Sequence, residues 1–173
     1  MSFKDIKGQD KPIQILKSYI QQSRLASGYL FVGPDGIGKA LIAKTLAKAV
    51  NCQEVTLDTS TTLECHGEQS RTIDSCDRCA SCLKIEKNQH PDVHYLHNSE
   101  SDVIKIEHIR QLQKDINLKP YEAEKKVFII DNAHYLTPEA SNAILKILEE
   151  PPADSLIILI SSKPALLFKT IIS

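Results

Sequence analysis

A glycine-rich loop between an apolar strand and a helix constrains the fold of this chain most strongly. The predicted strand covers residues 29–32, and the loop after it reads Gly-Pro-Asp-Gly-Ile-Gly-Lys from Gly33 to Lys39. Apolar residues then recur at helical spacing as far as Val50. Glycines let successive backbone N–H groups surround an oxyanion, and a helix N-terminus adds partial positive charge. The spacing therefore predicts a phosphate-binding loop, in which Lys39 contacts the β- and γ-phosphates of a nucleotide.

The residue after Lys39 departs from the usual pattern of such loops. Ser or Thr there supplies a hydroxyl that binds Mg²⁺, whereas this chain has Ala40. The loop is thus strong support for a nucleotide-type fold but weak support for nucleotide hydrolysis. The alternative is a strand-to-helix turn that binds no ligand. The residues that we predict to surround a nucleotide are Gly33, Pro34, Asp35, Gly36, Ile37, Gly38, Lys39, Ala40 and Ser161.

Two later apolar runs end in polar residues. Residues 127–130 are continuously apolar, as in a buried parallel strand, and Asp131 follows them. An acid at that end of a strand lies where ligands bind in open α/β sheets, so Asp131 is predicted to hold Mg²⁺ through water. A cap for the next turn is the alternative. The run 156–160 ends at Ser161, whose hydroxyl is placed to contact a γ-phosphate or its attacking water.

Helical patterns alternate with these strands along the chain. Helices are predicted over 11–25 and 106–118, from Thr137 to the stop at Pro151, and over 164–172, with a further strand over 93–97. No internal repeat or linker is visible. This order predicts an α/β domain with a parallel sheet flanked by helices.

The cysteines are clustered. They lie at 52, 65, 76, 79 and 82, and the last three have two consecutive C-x2-C spacings. Their odd number and the lack of a secretion signal argue against disulfides and for a metal site in a reducing compartment. The spacing suits tetrahedral Zn²⁺, with Cys52, Cys65 or His66 as the fourth ligand. Three free thiols and an iron–sulfur cluster are the alternatives. The polar stretch 53–75 is predicted to be a surface insertion.

Composition narrows the possible functions. The net charge is −1, so the protein has no overall electrostatic attraction to nucleic acid. Any contact with DNA is therefore local or belongs to a larger assembly. There is no signal peptide and no apolar run long enough to cross a membrane, so we expect a cytoplasmic protein. A zinc-dependent DNA-binding module is disfavoured, because it would need a cluster of basic residues or stacking aromatic residues near the cysteines, and the sequence shows none there. A small kinase is disfavoured as well, because no sequence element indicates the substrate pocket and lid that it would need.

The chain resembles the bacterial AAA+ clamp-loader subunits of DNA polymerase III. The resemblance rests on Gly33–Lys39, Asn51-Cys52, the Cys76-x2-Cys79-x2-Cys82 knuckle, His90-Pro91-Asp92, residues 127–134 and the block Ser141–Pro152. It implies an AAA+ domain over residues 1–173 with a zinc-binding insertion at about 52–88. It also implies that Cys52 joins Cys76, Cys79 and Cys82 around a structural Zn²⁺. In the family a last strand and a small helical lid follow, so the chain is expected to be an N-terminal fragment.

Two subunit types of this family share the same plan. The gamma/tau motor pattern has Thr or Ser after the loop lysine and Asp-Glu at the end of the acidic strand, where this chain has Ala40 and Asn132. Both changes remove groups used in hydrolysis, which resembles delta-prime; an active gamma/tau-type motor is the alternative. The resemblance implies gamma/tau and delta subunits as partners, and contact with the sliding clamp and primed DNA through the assembled complex. ATP binding itself stays open.

Overall fold

Four parallel strands form the central sheet. The computed structural model describes residues 1–54, 74–97 and 103–171. The strands lie side by side in the order β1-β4-β3-β2, and each neighbouring pair is parallel. Their bounds are Gly28–Val32 for β1, Val93–Leu96 for β2, Lys126–Ile130 for β3 and Ser155–Ser161 for β4.

Helices of the described ranges cover both faces of this sheet. Their bounds are Asp10–Gln21 for α1, Lys39–Val50 for α2, Ala80–Glu86 for α3, Ile106–Ile116 for α4, Pro138–Glu149 for α5 and Pro164–Ile171 for α6. Short 3-10 helices span Phe3–Asp5 and Ala133–Tyr135.

Two apolar cores lie on opposite faces of the sheet. On one face, α1, α2 and α3 pack together with the side chain of Ile158 in β4. On the other, α4, α5 and α6 pack with Ile157 and Leu159 of the same strand. Successive strand side chains point to opposite faces, which is why a continuous apolar run serves both cores. The predicted α/β architecture is confirmed.

The element boundaries differ by a few residues from those predicted. The first helix is predicted over 11–25 but ends at Gln21, because Ser23 has a left-handed backbone with φ 52°. The start of α5 is as predicted: Thr137 accepts a hydrogen bond from the Ala140 N–H, and Pro138 is the first helical residue. Most of the stretch expected to be a surface insertion lies outside the described residues.

The parallel topology brings the carboxyl ends of β1, β3 and β4 to one edge of the sheet. The backbone N–H of Gly33, just after β1, donates to the carbonyl of Ser161 at the end of β4 at 3.3 Å. Asp131 follows β3 directly, and its N–H donates to the Leu96 carbonyl of β2. The glycine loop and the acidic strand end therefore meet at a single edge.

Candidate functional site

A cavity of about 570 Å³ opens at this edge. It is bounded by the glycine loop, the start of α2 and the segments that follow β3 and β4. The lining residues are Asp35, Gly36, Gly38, Lys39, Ala40, Leu41, Asp131, Asn132, His134, Tyr135, Ile160, Ser162 and Lys163. Of the residues predicted to share a site, the lining thus includes Asp131 and most of the loop. Gly33, Pro34, Ile37 and Ser161 are not among the lining residues.

The backbone of the loop needs glycine at two positions. Gly36 has φ 80° and Gly38 has φ 91°, both in the left-handed region that side chains disfavour. The bend at Gly38 starts α2, and the Ile42 N–H donates to the Gly38 carbonyl at 2.9 Å. The N–H groups at the start of a helix have no carbonyl partner within it, so they are available to an anion.

The Lys39 side chain is folded back onto the loop. Its ammonium donates to the carbonyls of Gly33 at 2.7 Å and Pro34 at 2.6 Å, and lies 3.7 Å from the Asp35 carboxylate. The loop is therefore closed by its own lysine. A phosphate entering the loop would exchange these carbonyl contacts for its own oxygens.

A second cavity, of about 480 Å³, lies beside the loop between α1 and β1. Apolar and aromatic side chains dominate it, including Leu16, Tyr19 and Phe31, and Lys39 borders it as well. The Gln9 amide donates to the Ile37 carbonyl at 3.3 Å and joins α1 to the loop. A flat aromatic group such as a nucleotide base fits this chemistry.

The Asp131 carboxylate is held by side chains of β2 and its vicinity. Its Oδ2 accepts a hydrogen bond from the Tyr95 hydroxyl at 2.8 Å and lies 3.3 Å from His97 Nδ1. Its Oδ1 accepts from the Asn132 N–H at 2.9 Å. Burial, and then the nearby Asp131 carboxylate, raise the pKa of Tyr95 well above its usual value. The sequence did not predict the Tyr95 contact.

Ser161 lies next to the cavity, not in its lining. Its side chain is fully buried, and its Oγ accepts from the Lys163 N–H at 3.1 Å and lies 3.3 Å from His134 Nδ1. The following residue, Ser162, lines the cavity. Burial, followed by the Lys163 charge, lowers the pKa of His134, so its ring is neutral near pH 7. Contact between Ser161 and a phosphate stays a prediction.

A four-cysteine cluster lies at the other end of α2. The Sγ atoms of Cys52, Cys76, Cys79 and Cys82 all lie within 4.8 Å of one another, and those of Cys76 and Cys82 are 3.9 Å apart. Tetrahedral Zn²⁺ with Zn–S bonds of ~2.3 Å requires S–S edges of ~3.8 Å. The cluster therefore fits a zinc ion. Cys65 and His66, the other candidates for fourth ligand, lie outside the described residues.

Backbone N–H groups donate hydrogen bonds to two of the four sulfur atoms. The Cys79 N–H donates to Cys76 Sγ at 3.3 Å, and the Cys82 N–H donates to Cys79 Sγ at 3.4 Å. Burial opposes ionisation of Cys79, but the N–H groups of Cys82 and Gln53 outweigh it and lower the pKa of its thiol to about 7. Burial raises the pKa of Cys52 and of Cys82. Metal binding would thus release protons from the cluster.

Fold and site together define a class: a parallel α/β domain whose glycine loop and acidic strand end face one cavity is a P-loop domain of AAA+ type. The family model described as DNA polymerase III, delta subunit, matches residues 8–173. The chain therefore belongs to this family, among the AAA+ clamp-loader subunits of DNA polymerase III.

Curated relatives include both subunit types. The chain is 34% identical over 165 residues to the DNA polymerase III subunit delta' of Bacillus subtilis (strain 168), which covers 95% of this chain and 45% of the relative. It is 33% identical over 171 residues to the subunit tau of the same organism, covering 99% of this chain and 27% of the relative. The chain thus spans less than half the length of these relatives, and identity does not separate the two types.

A solved structure shares the fold. A DNA polymerase III gamma subunit-related protein from Thermotoga maritima MSB8 superposes with a TM-score of 0.54 at 19% identity. The match covers 92% of this chain and 42% of that protein. In the described ranges, none of the helices has the length and apolarity needed to cross a membrane.

Proposed function

We propose that this chain is the AAA+ domain of a delta-prime-like subunit of the DNA polymerase III clamp loader. Such a subunit helps to load the sliding clamp onto primed DNA, and its own ATP hydrolysis is weak or absent. The observation that carries the proposal is the pair Ala40 and Asn132, which both line the cavity beside the glycine loop.

Ala40 lacks the oxygen that Mg²⁺ needs at this point of the loop. It is the second residue of α2, where a Ser or Thr hydroxyl would hold the ion that bridges the phosphates. A methyl group cannot replace that ligand. Phosphoryl transfer depends on this metal for charge neutralisation, so its loss acts on hydrolysis more than on binding.

Asn132 lacks the carboxylate that would activate a water. An amide is not a general base, so it cannot take a proton from the attacking water. The backbone supports this residue type: Asn132 has φ 52°, a left-handed conformation in which Asn is among the most tolerated non-glycine residues. A Glu at this position would have to adopt the same left-handed backbone conformation, which Glu tolerates less well than Asn.

Two further assignments belong to this proposal. The loop from Gly33 to Ala40, together with Ser161, binds the phosphates of a nucleotide, and the neighbouring apolar cavity takes its base. Cys52 and the three knuckle cysteines bind one structural Zn²⁺, since all four positions are filled by protein thiols and no open position remains for a substrate. The protein acts in the cytoplasm with gamma/tau and delta subunits.

An active gamma/tau-type motor is the second candidate. It is favoured by relatives of that type with similar identity, such as the gamma/tau subunit of Mycoplasma pneumoniae (strain ATCC 29342 / M129 / Subtype 1), 36% identical over 150 residues that cover 87% of this chain and 19% of that relative. The retained Lys39 also fits a motor. The absent hydroxyl and carboxylate favour the non-motor subunit.

The test is a replacement experiment in a clamp loader assembled from subunits of one organism. One complex lacks its delta-prime subunit and another lacks its gamma/tau subunits, and the intact protein that carries this chain is added to each. We expect it to restore loading of the sliding clamp onto primed DNA in the first complex only. Restored loading in the second would favour the motor, and no restoration in either would reject the clamp-loader role.

A further inference from the structure

We propose that Ser161 acts on the cavity through His134, whose Nδ1 it holds so that Nε2–H donates to the terminal phosphate of a bound nucleoside triphosphate. This inference rests on the proposed nucleotide binding and deepens it, but it does not depend on the clamp-loading role. His134 is not among the residues that the sequence predicted to surround a nucleotide. Ser161 is then a positioning residue, because it reaches the phosphate only through the imidazole ring.

The Ser161 hydroxyl has two hydrogen-bond partners among the described residues, and neither is in solvent. Its side chain is fully buried at the end of β4, and it is not part of the cavity lining. Its Oγ accepts from the Lys163 N–H at 3.1 Å, and His134 Nδ1 lies 3.3 Å away. A buried hydroxyl whose proton had no acceptor would cost about 1–3 kcal/mol. The hydroxyl proton is therefore donated to Nδ1.

This hydrogen bond determines which nitrogen of His134 carries a proton. A nitrogen that accepts a hydrogen bond is unprotonated, and a neutral imidazole then has its proton on the other nitrogen. Burial lowers the pKa of His134, and the Lys163 charge lowers it further, so the ring is neutral near pH 7. Nε2 is thus a hydrogen-bond donor.

The Nε2 atom is open to the cavity. Among the residues that the structure describes it has no hydrogen-bond partner, and it is not one of the buried polar atoms left unpaired, so it is accessible. His134 lines the cavity together with Lys39 and Lys163. The Tyr135 ring packs beside the imidazole with 4.4 Å between the ring centroids and restricts its rotation. An anion in the cavity therefore meets a fixed N–H donor besides the two lysines.

The position of His134 points to the terminal phosphate. The backbone N–H groups of a glycine loop surround the α- and β-phosphates. His134 belongs to the 3-10 helix after β3, across the cavity from that loop. The phosphate beyond those held by the loop is the terminal one of a triphosphate, which ADP lacks. The Nε2–H contact should therefore distinguish ATP from ADP.

The first experiment measures the dissociation constants of a non-hydrolysable ATP analogue and of ADP for the intact protein, by isothermal titration calorimetry in Mg²⁺. His134→Ala should raise the value for the ATP analogue about tenfold and change that for ADP by less than about twofold. His108→Ala is the matched control, because His108 is exposed on α4 and does not line this cavity. Equal losses for both nucleotides in the His134 variant would overturn the proposal, as would absence of ATP-analogue binding.

A double-mutant cycle tests whether Ser161 acts through His134. Ser161→Ala should raise the dissociation constant for the ATP analogue about threefold or more, but should have no effect in a protein that already carries His134→Ala. Ser161→Thr, which keeps the hydroxyl, should bind as the unmodified protein does. The same loss from Ser161→Ala in both backgrounds would show that Ser161 acts on the site without His134, and would overturn its role.

Nitrogen NMR of the ¹⁵N-histidine-labelled intact protein reads the proton directly. The His134 signals are assigned by their disappearance in His134→Ala, and without nucleotide we expect the proton on Nε2 and none on Nδ1. A proton on Nδ1 would overturn the proposal. This spectrum requires neither nucleotide nor clamp, so its failure is distinct from failure of the clamp-loading experiment.

Discussion

Lys48 of the phosphate-loop helix donates a hydrogen bond to Asp77 of the cysteine knuckle, with its ammonium nitrogen 2.6 Å from Oδ1. The Lys48 side chain is 1% exposed, and the same ammonium lies 2.8 Å from Glu86 Oε2 at the end of α3. Burial opposes protonation of Lys48, but both carboxylates outweigh it and raise its pKa. The first residues of α2 thus line the cavity beside the glycine loop, and Lys48 near its C-terminal end contacts the cysteine knuckle.

Replacing Lys48 by Met should loosen the knuckle. Asp77 and Glu86 would lose their buried cation, and since both are partly exposed we expect a loss of about 1–2 kcal/mol in the free energy of unfolding. Because Asp77 adjoins Cys76, zinc should also dissociate faster. Urea denaturation and metal transfer to a chelator measure the two effects. The exposed Lys114→Met of α4 is the control, and equal behaviour of both variants would contradict the coupling.

The zinc assignment predicts opposite results for two cysteines. Cys52→Ser should lower the metal content of the purified protein, because one thiolate of the tetrahedral set is lost. Cys65→Ser should leave one zinc per chain. Elemental mass spectrometry measures both. Zinc loss in the Cys65 variant together with full zinc in the Cys52 variant would show that the fourth ligand had been assigned wrongly.

Protonation of Asp92 should lower the free energy of unfolding at acid pH. Its buried carboxylate accepts from the N–H groups of Tyr121, Glu122 and Ala123 at 2.8–3.0 Å. Burial opposes its ionisation, but these hydrogen bonds outweigh it and lower the pKa of Asp92 below its usual value of 3.8. Its stabilisation is therefore present above that value and lost as pH falls through the lower folded-state pKa.

The change Asp92→Asn should lower the free energy of unfolding by about 1–3 kcal/mol at neutral pH. Asn has only one acceptor oxygen, so its NH₂ group would face backbone N–H groups that now donate to the carboxylate. The difference from the unmodified protein should shrink below about pH 4, as measured by urea denaturation across pH. Asp154→Asn is the control: Asp154 is exposed and has a left-handed backbone that Asn accepts, so its change should stay within about 0.5 kcal/mol. A pH-independent cost for the Asp92 variant would contradict the argument.

Removing the loop lysine should weaken nucleotide binding. Lys39→Ala takes away the ammonium that now binds the Gly33 and Pro34 carbonyls and that would move to a phosphate. We expect the dissociation constant for ATP to rise about tenfold or more, measured by isothermal titration calorimetry. The exposed Lys114→Ala should bind as the unmodified protein does. Unchanged affinity in the Lys39 variant would place ATP elsewhere.

The fold class could be predicted because its signals are local. The glycine loop, the apolar run before Asp131 and the Thr137-Pro138 start of α5 each specify an element within a few residues. The site edge then followed from the rule that parallel strands present their carboxyl ends together. The C-x2-C spacings of the knuckle are likewise local, and they indicate a metal site from the amino-acid sequence alone.

The contacts that position the site could not be predicted, because they join residues far apart in sequence. Tyr95 meets Asp131 only through the register of β2 against β3, and Lys48 finds Asp77 and Glu86 some 29 and 38 residues away. A lysine within a helix is usually exposed, so burial of Lys48 had no sequence signal. Burial of the hydroxyl of Ser161 was equally invisible, since a strand end can face either core or cavity.

ATP turnover in a complete clamp loader tests the central claim most directly. The complex is assembled with gamma/tau subunits whose own loop lysines are replaced, so that hydrolysis in the presence of the clamp and primed DNA comes from this protein alone. Since Ala40 and Asn132 supply neither the metal ligand nor the base, we predict turnover at the level of a complex that also carries Lys39→Ala. Lysine-dependent turnover of about 1 s⁻¹ or faster would contradict the account and identify the protein as a motor.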